Sequence, residues 1–176
     1  MHYLCPDLPF RLSLVSGIRI HTYVALKTIS SVTSVGGTEL SGTSSETAVF
    51  FSSGGFSNYF TRPLYQAADV RSYLSESSYA TIYSGLFNTS GRAFPDVAAM
   101  ALDVEIVFDG EFGTVDGTSC ASPIFASVIA LINDARARVG KGPLGFLNPF
   151  LYAHPEAFHD ITTGRCFAFS SNGIRT

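Results

Sequence analysis

The sequence has little charge and no concentration of basic residues. Lys and Arg number 11 and Asp and Glu 14 among 176 residues, so the net charge is −3. Proteins that bind nucleic acid usually carry a basic face, and no run of Lys or Arg occurs here, so no nucleic-acid partner is expected. The only lysines are Lys27 and Lys141, which argues against a polybasic membrane anchor. No apolar run reaches the roughly 18 residues that cross a bilayer, so no membrane span is expected.

Cysteines are too few for a covalent framework. Cys5, Cys120 and Cys166 make an odd number and none belongs to a C-x-x-C pair, which argues against a disulfide scaffold and a zinc finger. Cys120 lies in an apolar stretch and is interpreted as a small buried residue. The first twenty residues lack a charged region followed by a clean apolar stretch, so no signal peptide is predicted.

Apolar residues, at 46%, are numerous enough to fill the core of one α/β domain. Residues 31–38 form a β-branched run that ends in paired glycines, which predicts a buried strand followed by a turn. The Ser- and Gly-rich residues 41–58 predict a loop. An Asp-Gly pair within residues 104–115 predicts a hairpin. Residues 124–139 have apolar side chains at helical spacing and predict a largely buried helix, with Pro123 in its first turn.

The most informative segment is residues 116–123, with the sequence D-G-T-S-C-A-S-P. A serine hydroxyl is a weak nucleophile until a general base takes its proton. Ser119 comes just before the predicted helix, where free backbone amides and the helix dipole can stabilise an oxyanion. The same serine could simply cap the helix, which is one of the commonest uses of serine. Spacing alone therefore leaves a catalytic and a capping role open.

Residues 117–123 resemble the nucleophile motif of the sedolisins, G-T-S-x-x-S-P, at every defined position. The sedolisins are serine-carboxyl peptidases that include the tripeptidyl-peptidases. Five further blocks resemble family blocks in the family's order: V-T-S-V-G-G-T at 32–38, F-S-S-G-G-F-S at 51–57, F-P-D-V at 94–97, P-L-G-F-L-N-P at 143–149 and H-D-I-T at 159–162. The resemblance divides the chain into an unassigned segment 1–31, a partial sedolisin-type peptidase domain 32–164 and a divergent tail 165–176.

The resemblance implies an α/β fold, an incomplete subtilisin-like parallel sheet with flanking helices. It implies that Ser119 is the nucleophile of an acid-active, extracellular serine-type peptidase, either an endopeptidase or a tripeptidyl-peptidase, acting on peptides or proteins. It places Gly54 and Gly55 in a loop beside the substrate, and Asp160 and Ile161 among the ligands of a calcium ion. In this family a glutamate takes the serine proton, one aspartate orients that glutamate, and a second aspartate helps to form the oxyanion site.

The carboxylates that the family uses are missing from their expected place. No E-x-x-x-D pair and no S-S-G-D block precede Val32, where Asp7 is the only acidic residue. We therefore expect the chain by itself to be inactive, because a serine without a base loses most of its activation. The sequence also departs from the family after Gly164, where a second calcium-binding aspartate is expected, and two ligands are too few for calcium. Asp96, in the F-P-D-V block, is interpreted as a structural residue.

Two other functions are considered beside the peptidase. A catalytically inactive remnant, or a peptide-binding module of the same fold, would keep the glycine-rich loop without the chemistry. An esterase of the α/β-hydrolase type would use Ser119 with His154 or His159, although its G-x-S-x-G motif requires glycine where Ala121 stands. Half of a parallel sheet would also leave strand edges open, which predicts self-association through a sheet edge.

Overall fold

The computed structural model describes residues 29–42, 45–76, 81 and 84–164. Most of the unassigned segment 1–31 and all of the tail 165–176 lie outside the described residues, so the two domain boundaries stay predictions. In chain order the elements are β1 (Val35–Ser41), β2 (Ser45–Ala48), β3 (Gly55–Thr61), α1 (Ala67–Glu76), β4 (Gly91–Phe94), β5 (Val97–Met100), β6 (Val104–Phe108), β7 (Glu111–Val115), α2 (Thr118–Arg138) and α3 (Asn148–Ala153). Short 3-10 helices, Leu64–Gln66 and Pro155–Ala157, precede α1 and follow α3.

The described strands lie in three small sheets. The largest has the order β2-β1-β5, with β1 antiparallel to β2 and parallel to β5, while β3 pairs with β4 and β6 with β7, both antiparallel. Helix α2 packs on β1 and β5, and its Ala121 joins Val49 and Ala101 in a fully buried core. A helix packed across parallel strands is typical of α/β folds, so the predicted class is confirmed. The largest of the described sheets is mixed, because it contains one antiparallel and one parallel pair of strands.

Strand β1 differs from its prediction, because the paired glycines lie inside the strand. A Cβ atom on Gly36 would lie 2.8 Å from Pro95 Cγ, and one on Gly37 would lie 2.7 Å from the Cβ of Ala101. The two glycines therefore allow close packing around β1, and the turn comes later, at Gly42 with φ 70°. The prediction of a loop over residues 41–58 is wrong in part, since β2 and the start of β3 lie there.

The predicted hairpin is confirmed. Strands β6 and β7 pair in register from Val104 opposite Val115 to Phe108 opposite Glu111. The two residues between the strands have positive φ angles, 51° at Asp109 and 83° at Gly110. A type I′ turn requires positive φ at both central residues, and Asp-Gly favours this turn. The Asp-Gly pair is therefore sufficient to predict the hairpin from the sequence.

Helix α2 is longer and far more exposed than predicted. It begins at Thr118, so Pro123 lies inside the helix and not in its first turn. Ala121 is the only buried residue of the helix, and Leu131 is 71% exposed. Within the described part of the chain, α2 is the one helix long and apolar enough to cross a membrane, a criterion that core helices of soluble proteins also meet.

A buried polar cluster joins distant parts of the chain around Asp96. Its Oδ2 accepts hydrogen bonds from the Ser34 amide (2.7 Å) and from Nη2 of Arg92 (2.6 Å), and both members of this ion pair are fully buried. Its Oδ1 accepts from Gln66 Nε2 and from the Tyr152 hydroxyl, each at 3.1 Å. These contacts connect the residue before β1, strand β4, the turn between β4 and β5, and helix α3, which agrees with the interpretation of Asp96 as a structural residue.

Candidate active site

The segment that carries Ser119 is fixed at the base of the β6–β7 hairpin. The amide of Gly117 donates to the carbonyl of Ala101 at 2.7 Å, just after β5 ends. The carboxylate of Asp116 accepts a hydrogen bond from the amide of Asp103 at 2.9 Å. Asp103 precedes β6 and Asp116 follows β7, so these two bonds close the hairpin and hold the start of α2 near the end of β5.

Ser119 is the second residue of α2, and it does not cap the helix. The N-cap is Gly117, with φ 144° and no side-chain capping bond, and the Cys120 amide closes the first turn by donating to the Gly117 carbonyl at 2.9 Å. The capping alternative for Ser119 is therefore wrong. The residue is exposed, and its hydroxyl makes no hydrogen bond to any residue that the structure describes. Cys120 is half-buried rather than buried.

The start of α2 offers the electrostatics that an oxyanion needs. The first N–H groups of a helix have no partner within the helix, and they include those of Thr118 and Ser119. The dipole of a 21-residue helix places partial positive charge at the same end. Pro123 has no N–H for the carbonyl of Ser119 four residues earlier, so that carbonyl also lacks its helical donor. The site therefore combines an exposed hydroxyl with unpaired amides.

Among residues 29–42, 45–76, 81 and 84–164, no side chain that could act as a general base is hydrogen-bonded to the Ser119 hydroxyl. The nearest carboxylate along the chain, Asp116, is engaged by the Asp103 amide. His154 contacts Glu156 at 2.9 Å and its ring packs on Phe150. That hydrogen bond from His154 lowers the pKa of the Glu156 carboxyl below its ordinary value. Neither of these groups is hydrogen-bonded to Ser119.

Gly54 and Gly55 are both buried, at the start of β3. Strand β3 pairs with β4, not with the sheet on which α2 packs. Ser52, from the same sequence block, accepts a hydrogen bond from the Gly37 amide at 3.0 Å. The block therefore has a structural role beside β1, and a role beside a substrate stays a prediction.

Asp160 and Ile161 follow the last 3-10 helix, with Asp160 exposed and Ile161 buried. Calcium takes six to eight oxygen ligands in proteins. Within the described residues, no group of three or more His, Cys, Asp or Glu side chains is placed to hold a metal ion. The Asp160 carboxylate and one backbone carbonyl do not by themselves fit a calcium ion.

The fold and the position of Ser119 define an α/β protein with a serine at the start of a helix on parallel strands. The chain is 47% identical over 149 residues to tripeptidyl-peptidase sed4 of Aspergillus fumigatus, covering 81% of this chain and 24% of that protein. It is 42% identical over 137 residues to aorsin of Aspergillus oryzae, covering 72% and 21%. It is 47% identical over 134 residues to tripeptidyl-peptidase SED2 of Arthroderma otae, covering 76% and 22%. No family model matches the chain.

These similarities extend far beyond the nucleophile motif. The chain belongs to the sedolisin family, where its sequence corresponds to the C-terminal part of the catalytic domain. It spans about a quarter or less of the length of these relatives.

Proposed function

We propose that this chain is the nucleophile-bearing part of a serine-type peptidase, with Ser119 as the nucleophile. The observation that supports this most is the exposed Ser119 hydroxyl at the start of α2, within a motif that matches the family at every defined position. A residue kept for capping would bond to the backbone, and this hydroxyl does not. Peptides or proteins are the proposed substrates, since the relatives include proteins named tripeptidyl-peptidases.

In the proposed reaction the Ser119 oxygen attacks the carbonyl carbon of a peptide bond, and a base takes the hydroxyl proton. The free amides at the start of α2 stabilise the negative charge on the carbonyl oxygen. The amine leaves with the proton, which yields an ester between the peptide and Ser119. Water then cleaves that ester and restores the hydroxyl.

The base in this proposal is the glutamate of the sedolisin family, which the described residues do not supply. Carboxylate chemistry of this kind is effective in acid, because one carboxyl has to stay protonated to donate. The proposed working environment is therefore acidic, and the family resemblance adds the proposal that it is extracellular. Because the described residues do not supply this base, the 176-residue chain tested by itself is proposed to be inert.

A fluorophosphonate probe tests the role of Ser119 directly, because it reacts with an activated serine. We expect no labelling of the isolated chain from pH 3 to 8. We expect labelling when the chain is joined to the preceding part of the Aspergillus fumigatus relative, and loss of that labelling in Ser119→Ala. Ser122→Ala is the matched control, one helical turn away, and should keep the label. Labelling of the joined protein that survives Ser119→Ala would refute the assignment.

A catalytically inactive peptide-binding module is the second candidate, and the missing base next to Ser119 favours it. Such a module would bind peptides equally well with serine or alanine at position 119. The same joined protein separates the two functions, because an inert module would stay unlabelled. The esterase alternative has less support, since a nucleophile elbow needs a strained turn at the serine. Among the described residues other than glycine, only Asp103 and Asp109 have positive φ, and Ser119 lies within a helix.

We propose that Asp160 and the carbonyl of Ile161 are part of a calcium site that needs further ligands. Two oxygen ligands should bind calcium only weakly. Millimolar calcium is therefore expected to raise the melting temperature of the chain by about 1–2 °C at most. Asp160→Asn should abolish that small rise, while Asp134→Asn, an exposed acid on α2, should preserve it. A larger rise in melting temperature that persists in Asp160→Asn would show that calcium binds at another site.

A further inference from the structure

A two-residue linker, Asp116 and Gly117, joins the β6–β7 hairpin to the helix that carries Ser119. The two strands of the hairpin pair with each other and with no other strand that the structure describes. The large apolar side chains near its turn are mostly exposed. The hairpin is therefore held mainly at its base, and the contacts of the linker decide how the chain passes from β7 to Ser119.

Gly117 does not fix this passage by itself. Its φ is 144°, a value that residues with a side chain rarely adopt, and glycine can take many other conformations at little cost. Its amide donates to the Ala101 carbonyl at 2.7 Å, but one hydrogen bond does not prevent rotation of the linker about it. On the helix side, Ala121 is held in the core. A second contact on the hairpin side is needed to hold the direction of the linker.

Asp116 makes this second contact with its side chain. Its Oδ1 accepts a hydrogen bond from the Asp103 amide at 2.9 Å. The last paired residues of the hairpin are Val104 and Val115, so this bond lies one step beyond the ladder, towards the linker. Asp103 has φ 52° and lies outside regular strand geometry, where a side chain instead of a facing carbonyl accepts its N–H. Asp116 and Gly117 together tie the linker to the segment between β5 and β6.

We propose that Asp116 is a positioning residue for Ser119. Through its hydrogen bond to the Asp103 amide it fixes the linker, and with the linker the serine hydroxyl and the first free amides of α2. This inference rests on the proposed role of Ser119 as nucleophile. Asp116 acts on Ser119 through the backbone and does not take its proton. Such positioning matters because a displacement of about 1 Å at a reacting group can slow a reaction about a hundredfold.

The labelling kinetics of the joined protein with the fluorophosphonate probe test this role. Asp116→Ala removes the acceptor, so we expect the maximal labelling rate to fall about fivefold or more, with the half-saturating probe concentration unchanged within about twofold. Asp116→Asn keeps an acceptor oxygen and removes only the charge, so its labelling rate should stay within about twofold of the parent. Equal slowing by alanine and asparagine would overturn the proposal, because the charge and not the hydrogen bond would then be responsible.

Two control variants separate positioning from a general loss of structure. Asp103→Asn removes a charge at the other end of the same bond but keeps the amide, and asparagine tolerates positive φ. Ser72→Ala removes a hydrogen bond to Glu76 within α1, a different element of the fold. Both variants should change the labelling rate less than about twofold. A fivefold slowing by Ser72→Ala would refute a specific role for Asp116.

Amide hydrogen exchange of the complete 176-residue chain tests the linker without any catalysis. Asp116→Ala should speed exchange at Asp103 and Gly117 about fivefold or more, because Asp103 loses its acceptor and the linker loses its second contact. The amide of Ile129, within α2, should stay within about twofold. Unchanged exchange at Gly117 would overturn the proposal. Faster exchange at Gly117, together with a joined protein that the probe never labels, would support the contact and reject the nucleophile, so the two failures are distinguishable.

Discussion

At the scale of single residues, burial separates two polar side chains that both lie in family-like blocks. Ser119 is exposed and its hydroxyl bonds to no described residue, which suits a reactive group. Asp96 is 1% exposed and receives hydrogen bonds from the residue before β1, from β4 and from α3, which suits a structural residue. Whether a carboxylate or a hydroxyl has a structural or a reactive role therefore depends on how many of its hydrogen-bonding positions the fold occupies.

Asp96→Asn should lower the free energy of unfolding by about 3–5 kcal/mol, because Arg92 then keeps a buried charge without its counter-ion. Asp134→Asn is the control: its ion pair with Arg138 is at least half exposed and should change stability by about 0.5 kcal/mol or less. Urea denaturation of both variants measures the difference. Similar small losses in both would show that the buried pair contributes little.

The residues around Asp96 were only partly predictable. The family resemblance predicted that Asp96 is structural, but no sequence pattern indicated that Gln66, Arg92 or Tyr152 would be its partners. Polar residues are usually exposed, and burial of Gln66 and Arg92 results from contacts between segments that lie far apart in the chain. A local pattern contains no information about such contacts.

At the scale of elements, the position of α2 depends on how closely it approaches β1. A Cβ on Gly37 would lie 2.9 Å from Val49 Cγ1 and 3.4 Å from the methyl group of Thr118, beside Ser119. The strand and the start of the helix are thus in contact through a residue without a side chain. This is why glycine inside β1 matters for the site, although glycine is usually unfavourable in strands.

Gly37→Ala should destabilise the fold by about 1–3 kcal/mol, because the added methyl group overpacks this contact. Gly113→Ala, in β7, is the matched control, since a Cβ there would meet nothing within 4 Å. It should be neutral or stabilise by about 0.5–1 kcal/mol. Thermal unfolding of the two variants distinguishes them, and an unchanged melting temperature for Gly37→Ala would show that the packing can relax.

At the scale of the whole molecule, the buried cluster links pH to stability. Burial, with a smaller contribution from the nearby Asp96 charge, raises the pKa of the Tyr152 hydroxyl well above its ordinary value of 10.0. Burial also raises the pKa of Tyr65. The folded protein therefore holds these protons more tightly than the unfolded chain. Their contribution to stability is complete below pH 10 and is lost as the pH rises further.

The free energy of unfolding should fall above about pH 10, by up to about 1.4 kcal/mol per pH unit through Tyr152 and by less through the partly exposed Tyr65. Tyr152→Phe should reduce the fall of the unfolding free energy with pH, and only the contribution of Tyr65 should remain. At neutral pH it should also cost about 1–3 kcal/mol, because Gln66 and Asp96 lose a hydrogen-bond partner. Tyr59→Phe is the control, since Tyr59 is 75% exposed. Denaturation at pH 8 and pH 11 measures the slopes, and identical slopes in all three proteins would contradict this account.

The sequence by itself determined the features whose signals are local. The Asp-Gly hairpin and the helix after the serine motif follow from turn chemistry and side-chain spacing, which neighbouring residues specify, and the α/β class follows from the low charge and the family resemblance. The tertiary structure alone decided that α2 is largely exposed, that Ser119 is not its cap, that Gly36 and Gly37 lie inside a strand and that Asp96 is the centre of a buried cluster. Burial and close packing depend on residues that are distant in the chain, so only the folded protein can bring their effects together.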